Sequence, residues 1–359
     1  MKIKLAILDG DRNYLEKMRS AFVRRYSDEI EFYLFTTKTA ALEALSTSKI
    51  DVFLLNKSAD VSPDEIPGTC LYAYLSDSAD VDSYKEKTVI CKFQRMDLIY
   101  KQILGVYAES NKVIPGMKFA EGNGTIILFC GASGGVGTSS AAAACAVRFA
   151  EKKKKVLYLN LQKLSGADLY FSGEGQKGMS DLILSLQDPE ANLRVQLQSW
   201  VRTDSNGVSF YSQAKSPLDM MELDVEGMIR LITELQKFGG YDYIVLDMDL
   251  VLDREMMQIY KMASRIVLVG DHSKESSLKT DRALSALKML DGNDDDALVK
   301  RMAIFYNRVG SEVEVDISEP DIPVLGGVGI YKSDKTRKIS KNEKVIEMLA
   351  MTEMFDSIM

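Results

Sequence analysis

Residues 131–140 read GASGGVGTSS, directly after the apolar run Thr125–Cys130 and ahead of a stretch rich in alanine. Glycines between a strand and a helix let backbone N–H groups converge on an anion, and the helix N-terminus adds partial positive charge. That is phosphate-binding chemistry, and Ser139 supplies a hydroxyl where such loops place a ligand for Mg2+. The predicted cradle comprises Ser133, Gly134, Gly135, Val136, Gly137, Thr138, Ser139 and Ser140. It contains no lysine. A second set of polar residues lies in the first hundred positions. Asp9 and Asp11 follow the first apolar run, Asn56 ends the third, Ser76 follows the fourth and Lys92 ends the fifth. At the carboxyl ends of parallel strands these groups would share one crevice, where open α/β sheets bind ligands.

Two passages of alternating strands and helices must position them. In the first, strands are expected at 3–8, 30–35, 52–55, 71–75 and 88–91. Leu15, Met18, Phe22 and Tyr26 recur at helical spacing, and a further helix is expected near 96–109. Five strands with interleaved helices make a small doubly wound parallel sheet spanning residues 1–109. Residues 110–124, with Pro, Gly and Asn and no sustained period, read as a linker. A larger domain over 125–359 repeats the pattern. Its strands are expected near 125–130, 155–161, 242–247, 265–269 and 302–307, and its helices near 138–151, 224–238, 254–263, 274–290 and 343–357. The runs at 152–155 and 291–296 read as solvated turns.

Composition narrows the function. A chain of 359 residues is comfortable for two cores. A net charge of −7 argues against a protein that coats nucleic acid. Cys70, Cys91, Cys130 and Cys145 show no C-x-x-C spacing and read as thiols in a reducing compartment. His272 is the only histidine, which argues against His-based metal sites and Ser-His-Asp catalysis. No stretch approaches the length of a bilayer span, and the opening MKIKLAILDGDRNY is too short in apolar residues for a signal peptide. The expected location is the cytoplasm, with recruitment by a partner to the pole or the inner face of the membrane.

The order Asp9, Asp11, Asn56, Ser76, Lys92 resembles response-regulator receiver domains, a flavodoxin-like fold, over about the first 108 residues. In that family acids after strand one hold magnesium, an aspartate after strand three accepts a phosphoryl group, and the later Ser or Thr and Lys sense it. Here Asn56 stands at the acceptor, and an amide cannot form an acyl phosphate. Gly10 occupies the other acidic position and Phe93 replaces the proline after the lysine. The resemblance implies a receiver that docks proteins without being phosphorylated.

The second passage resembles the MinD and ParA family, whose loop reads KGGVGKTT. Ser133 replaces the signature lysine, Thr138 replaces the lysine at the phosphates, and Ser139 keeps the magnesium hydroxyl. KKVLYLNLQ resembles KVLLIDLD, with Asn160 and Gln162 in place of two aspartates; Gln162 is left as a water-orienting candidate. GYDYIVLDMDLVLD resembles the Walker B segment, which implies that Asp247 holds magnesium, with Asp249 beyond it. Asn307 matches the asparagine that contacts the adenine edge, followed by Arg308; Asn307 also suits the capping of a turn. Lys163 and Lys177 are candidates to replace the missing loop lysines.

A receiver without its acceptor followed by such a loop resembles the TadZ and CpaE family of Flp (Tad) pilus assembly. The resemblance implies an ATP–Mg2+-binding homodimer with slow hydrolysis that marks a pole for assembly proteins, with no nucleic acid and no membrane insertion. The alternative is a positioning ATPase cycling like MinD or ParA on membrane or nucleoid. That would need an anchor. The amphipathic stretch 344–359 turns acidic in its second half and suits packing better than anionic lipid.

Overall fold

The computed structural model describes residues 2–78, 80–81, 83–108, 122–164, 166–271, 273–291, 298–309, 322–329, 341–351 and 353–359. Most of the expected linker, His272 and most of the acidic run at 291–296 lie outside these residues. The chain divides into two compact units: Met1–Phe119 with Asp188–Trp200, and Ala120–Gln187 with Val201–Met359.

The first unit is built on β1 (Ile3–Leu8), α1 (Arg12–Tyr26), β2 (Ile30–Phe35), α2 (Lys38–Thr47), β3 (Val52–Asn56), β4 (Leu71–Ser76), β5 (Ser83–Tyr84), β6 (Lys87–Cys91) and α3 (Met96–Ala108). Its sheet order is β2-β1-β3-β4-β6-β5, parallel except for β5 against β6. The order reverses between β1 and β3, which opens the crevice where Asp9 and Asn56 end their strands. Alternation along β1 splits the core. Ile3, Leu5 and Ile7 pack with α1 and α3 on one face, and Ala6 and Leu8 pack with Ala41 and Leu45 of α2 on the other. Not every connection holds a helix. Short 3-10 turns join β3 to β4, and the hairpin strand β5 precedes β6, adding a sixth strand to the expected five.

The second unit runs β7 (Thr125–Cys130), α4 (Thr138–Glu151), β8 (Val156–Asn160) and α5 (Met179–Gln187). Next comes α6 (Leu193–Trp200), which belongs to the first unit, where Val195 joins the core beside α3. This segment lies inside the range expected for the second domain. The chain returns through β9 (Arg202–Thr203), β10 (Ser209–Phe210), α7 (Val225–Phe238), β11 (Tyr243–Asp247), α8 (Met256–Met262), β12 (Arg265–Asp271), α9 (Lys274–Asp291), β13 (Met302–Val309), β14 (Val324–Gly329) and α10 (Lys341–Ala350). The eight-stranded order is β14-β13-β12-β7-β11-β8-β10-β9, with only β9 antiparallel among the described pairs.

Helix α4 explains its own composition. The side chains of Ala141 through Ala146 are completely buried, between the sheet and the C-terminal segment. A helix covered on both sides must be thin, and alanine also carries the best intrinsic helix propensity. The cover is α10 and a final 3-10 turn at Glu353–Ile358, which bury Ile346, Leu349, Ala350, Phe355 and Ile358. The Arg148 guanidinium donates to both oxygens of Asp356 at 2.8 and 2.6 Å. The expected packing role of the C-terminal helix is what the structure shows. Among the described residues, no helix is long and apolar enough to cross a membrane. Phe355 sits between the rings of Phe129 and Phe305, at centroid distances of 6.1 and 5.6 Å. Phe355→Ala should therefore cost about 3–5 kcal/mol in urea unfolding, because the cavity lies between α4 and the central strands. A loss below about 1 kcal/mol would mean that the C-terminal turn does not hold α4 in place.

Candidate functional site

Apolar strands end in polar residues at both crevices, and register sets which of these meet. In the second unit Asp247 lies opposite Asn160 on one side and Phe129 on the other. β7 then gives way to the glycine loop. Gly135 and Gly137 both take left-handed backbone, at φ 77° and 95°. A Cβ at Gly137 would run into the Asn307 amide, so glycine is required there twice over. Positions 134 and 135 have nothing within 4 Å of where a Cβ would stand, leaving the loop open on that side. Gly137 is the N-cap of α4 and offers no side-chain cap, so the first N–H groups of a fourteen-residue helix face the loop.

Asn307 is buried and holds this loop. Its Nδ2 donates to the Val136 carbonyl at 2.9 Å, and its Oδ1 accepts from the Arg308 amide at 3.0 Å. The side chain that the resemblance assigns to the adenine edge thus bonds the glycine loop here, while Arg308 is exposed and adopts left-handed backbone at φ 59°. Ser139 donates its hydroxyl proton to Gln162 Oε1 at 3.0 Å. Lys163 points elsewhere: its Nζ donates to the carbonyls of Met220 and Leu223 at 2.7 and 3.0 Å. Lys177 pairs with Asp181 at 3.0 Å. Each of these two lysines is tied to other partners in place of the cradle.

Asp247 is fully buried. Its Oδ2 accepts from Tyr158 Oη and Asn160 Nδ2, both at 2.7 Å, whereas Oδ1 has no hydrogen-bond partner. Burial drives the carboxyl up to about 6, against the hydrogen bonds of Tyr158 and Asn160 and the nearby Ser139 hydroxyl. That hydroxyl has one proton, already given to Gln162, so it leaves Oδ1 unmatched. Ser133 Oγ is another buried atom without a partner, where the loop it resembles carries its signature lysine. An orphaned carboxylate oxygen near a magnesium-type serine and an uncapped helix terminus fits a divalent cation with a phosphate chain. Tyr158 and Tyr170, whose hydroxyl lies beside Ser139 and Ser140, belong to this network and were not expected from the sequence. The polar tip of Tyr158 in an otherwise apolar buried strand was the available signal.

The receiver crevice is closed by its own side chains. Asp9 Oδ1 accepts from the Asp11 amide at 2.9 Å; Oδ2 accepts from Asn56 Nδ2 at 2.9 Å and Lys92 Nζ at 3.0 Å. Lys92 also meets Asp77 at 2.6 Å, a partner the sequence reading lacked. Burial would raise the Asp9 carboxyl, but the Asp11 amide, Asn56 and Lys92 together hold it below its usual value. Burial likewise disfavours the Lys92 ammonium, and Asp77 and Asp9 outweigh it to hold it above. Asp11 caps α1 by accepting from Asn13 and Tyr14, and Asn56 Oδ1 accepts from Ser58. Ser76 Oγ accepts from the Ser78 amide at 3.2 Å. An aspartate at 56 would face Asp9 as a like charge and need a cation between them; the amide turns that contact into a hydrogen bond.

With the geometry established, comparison places residues 1–108 in the family model described as TadZ-like, receiver domain. A ParA family ATPase from Chlorobium tepidum TLS superposes with a TM-score of 0.50 at 18% identity, covering 66% of this chain and 96% of that one. A plasmid partition protein from Borrelia burgdorferi gives 0.47 at 17% identity over 66% of this chain and 100% of its own. MinD complexed with Mg-ADP from Pyrococcus horikoshii OT3 gives 0.45 at 19%, over 63% and 94%. No curated protein matches significantly. The fold of the second unit is that of the ParA family ATPase.

The raised Asp247 carboxyl carries a pH signature. Its folded value of about 6 lies above the ordinary 3.8, so between these values the folded protein holds more protons than the unfolded chain. Its contribution to stability therefore falls as pH rises through this window. The stability difference between the wild type and Asp247→Asn, without nucleotide or Mg2+, should drop by about 2 kcal/mol from about pH 4 to about pH 7. Urea unfolding at stepped pH measures it, and a flat difference would contradict the burial of an unmatched carboxyl.

Proposed function

We propose that this chain, a TadZ-like receiver domain joined to a domain with the ParA ATPase fold, is an ATP-binding scaffold. It would help place Flp (Tad) pilus or secretion machinery at a cell pole. The reading is carried by the orphaned Asp247 oxygen near an uncapped, glycine-lined helix terminus whose loop has no lysine. Ser139 and Asp247 are the groups that would hold Mg2+, and the backbone N–H groups of 133–140 would take the phosphates. Bound Mg2+ supplies the positive charge that the loop side chains lack. Asn307 fixes the loop that presents those amides, with Arg308 at its flank.

Rapid hydrolysis asks for more than binding. Positioned water and extra positive charge must meet the transition state. Gln162 is the one side chain suited to orient water, and it is engaged by Ser139. The lysine positions hold Ser133 and Thr138. Loss of one such charge costs about 3 kcal/mol in barrier, roughly a hundredfold in rate. ATP therefore acts as a ligand that promotes a homodimer. Support comes from an apolar rim: Leu164, Leu169, Leu218, Met221, Val251 and Leu252 are exposed on loops leaving the carboxyl ends of β8, β10 and β11.

In the receiver the closed Asp9–Lys92 network favours docking to polar or pilus-assembly proteins without phosphorylation. A cycling membrane ATPase is disfavoured, because the apolar face of the C-terminal segment is buried within its own domain. Calorimetry on the full chain should detect saturable ATP binding at millimolar Mg2+, with turnover far below about one per second. No heat of binding would overturn the nucleotide reading, and turnover near that rate would overturn slow hydrolysis.

A further inference from the structure

The receiver sheet is unevenly covered. Helix α2 packs on one half of the Ala6–Leu8 face, but the connections to β4 and β6 supply only 3-10 turns and the β5 hairpin. Tyrosines take the place of helices there. Tyr74 meets Tyr72 and Tyr84 edge-on, at centroid distances of 5.9 and 4.9 Å. Three ammonium groups stand over these rings: Lys57 and Lys85 each 5.4 Å from Tyr84, and Lys87 5.2 Å from Tyr72. None of the three lysines forms a salt bridge to a carboxylate among the described residues. Tyr84 and Lys85 are exposed.

The hairpin that carries this patch is locally costly. Lys85 and Glu86 form its two-residue loop, and both adopt left-handed backbone, at φ 47° and 62°. Such loops favour Asn-Gly, which here is replaced by residues with full side chains. Strain of this kind concentrates at functional positions. Three lysines with no carboxylate partner among the described residues, on a chain of net charge −7, are also an electrostatic exception.

We infer that this tyrosine-lysine surface is the receiver's docking site, and that it takes an acidic segment of a partner protein. The inference rests on the docking role proposed above and assigns its location and chemistry. Carboxylates would replace ring faces as partners of Lys57, Lys85 and Lys87, while the exposed Tyr84 ring adds apolar area and a hydroxyl. A protein segment suits the patch better than a polyanion. A duplex or an anionic vesicle extends past the patch and meets the negative remainder of the molecule, whereas a short acidic segment needs only the cations themselves.

The test uses the full chain and a fluorescein-labelled, Glu-rich peptide read by anisotropy at low salt. Binding should weaken with added salt and fall at least about tenfold in the variant Lys57→Glu/Lys85→Glu/Lys87→Glu. A control reversing exposed Lys17, Arg19 and Arg24 of α1 should leave it unchanged. Absence of peptide binding, or an equal loss in the control, overturns the inference. Preference for anionic vesicles or duplex DNA over the peptide overturns the assignment to a protein partner. Fluorescent fusions of the full chain separate the two readings. A diffuse wild type contradicts docking itself, while a wild type and a triple variant that are both polar contradict only this surface.

Discussion

A carboxylate buried at the end of a parallel strand must be compensated, and the two domains solve that problem in opposite ways. Asp9 is matched inside the protein by an amide, an ammonium and a backbone N–H, with both oxygens engaged. Asp247 is matched on one oxygen only. The first arrangement is complete and has little reason to recruit a metal or a phosphoryl group. The second stays electrostatically unfinished until something cationic arrives. The proposed docking role of the first domain and the proposed ligand-binding role of the second both rest on this difference.

Both crevices hold neutral groups where the families they resemble carry charged ones: Asn56 in the first, and Asn160, Gln162, Ser133 and Thr138 in the second. Neutral groups keep the hydrogen-bonding geometry while removing the charges that drive group transfer. The scaffolding around them is well packed. Helix α4 is gripped between the sheet and the C-terminal turn, and Asn307 ties the loop to β13. A loop held this firmly while lacking catalytic charge is suited to keeping a ligand in place.

Much of this was legible in the sequence, for physical reasons. The glycine turn and the lysine run bracket α4, so its limits of 138 and 151 were readable. Apolar runs ending in Asn56, Asn160 or Asp247 announced buried parallel strands with polar tips. Elsewhere the signal was too short. Strands β5, β9 and β10 have two residues each and carry no measurable period. Helix α6 lies in a passage without an expected element, and a short amphipathic pattern does not say which sheet it will cover. Asp77 and Tyr170 were missed because their partners, Lys92 and the Ser139–Ser140 pair, are distant in sequence. The pattern of interleaved helices did not announce that the β3–β4 and β4–β6 connections carry only 3-10 turns and a short hairpin strand among the described residues.

In the proposed role the lysine-free cradle holds ATP to join two chains and does not rapidly hydrolyse it. Sedimentation velocity of the full chain with ATP and Mg2+, followed over hours, tests this most directly. The proposed role predicts a nucleotide-dependent dimer whose boundary persists throughout. A monomer at saturating ATP–Mg2+, or a dimer that decays within minutes as ATP is consumed, would contradict it.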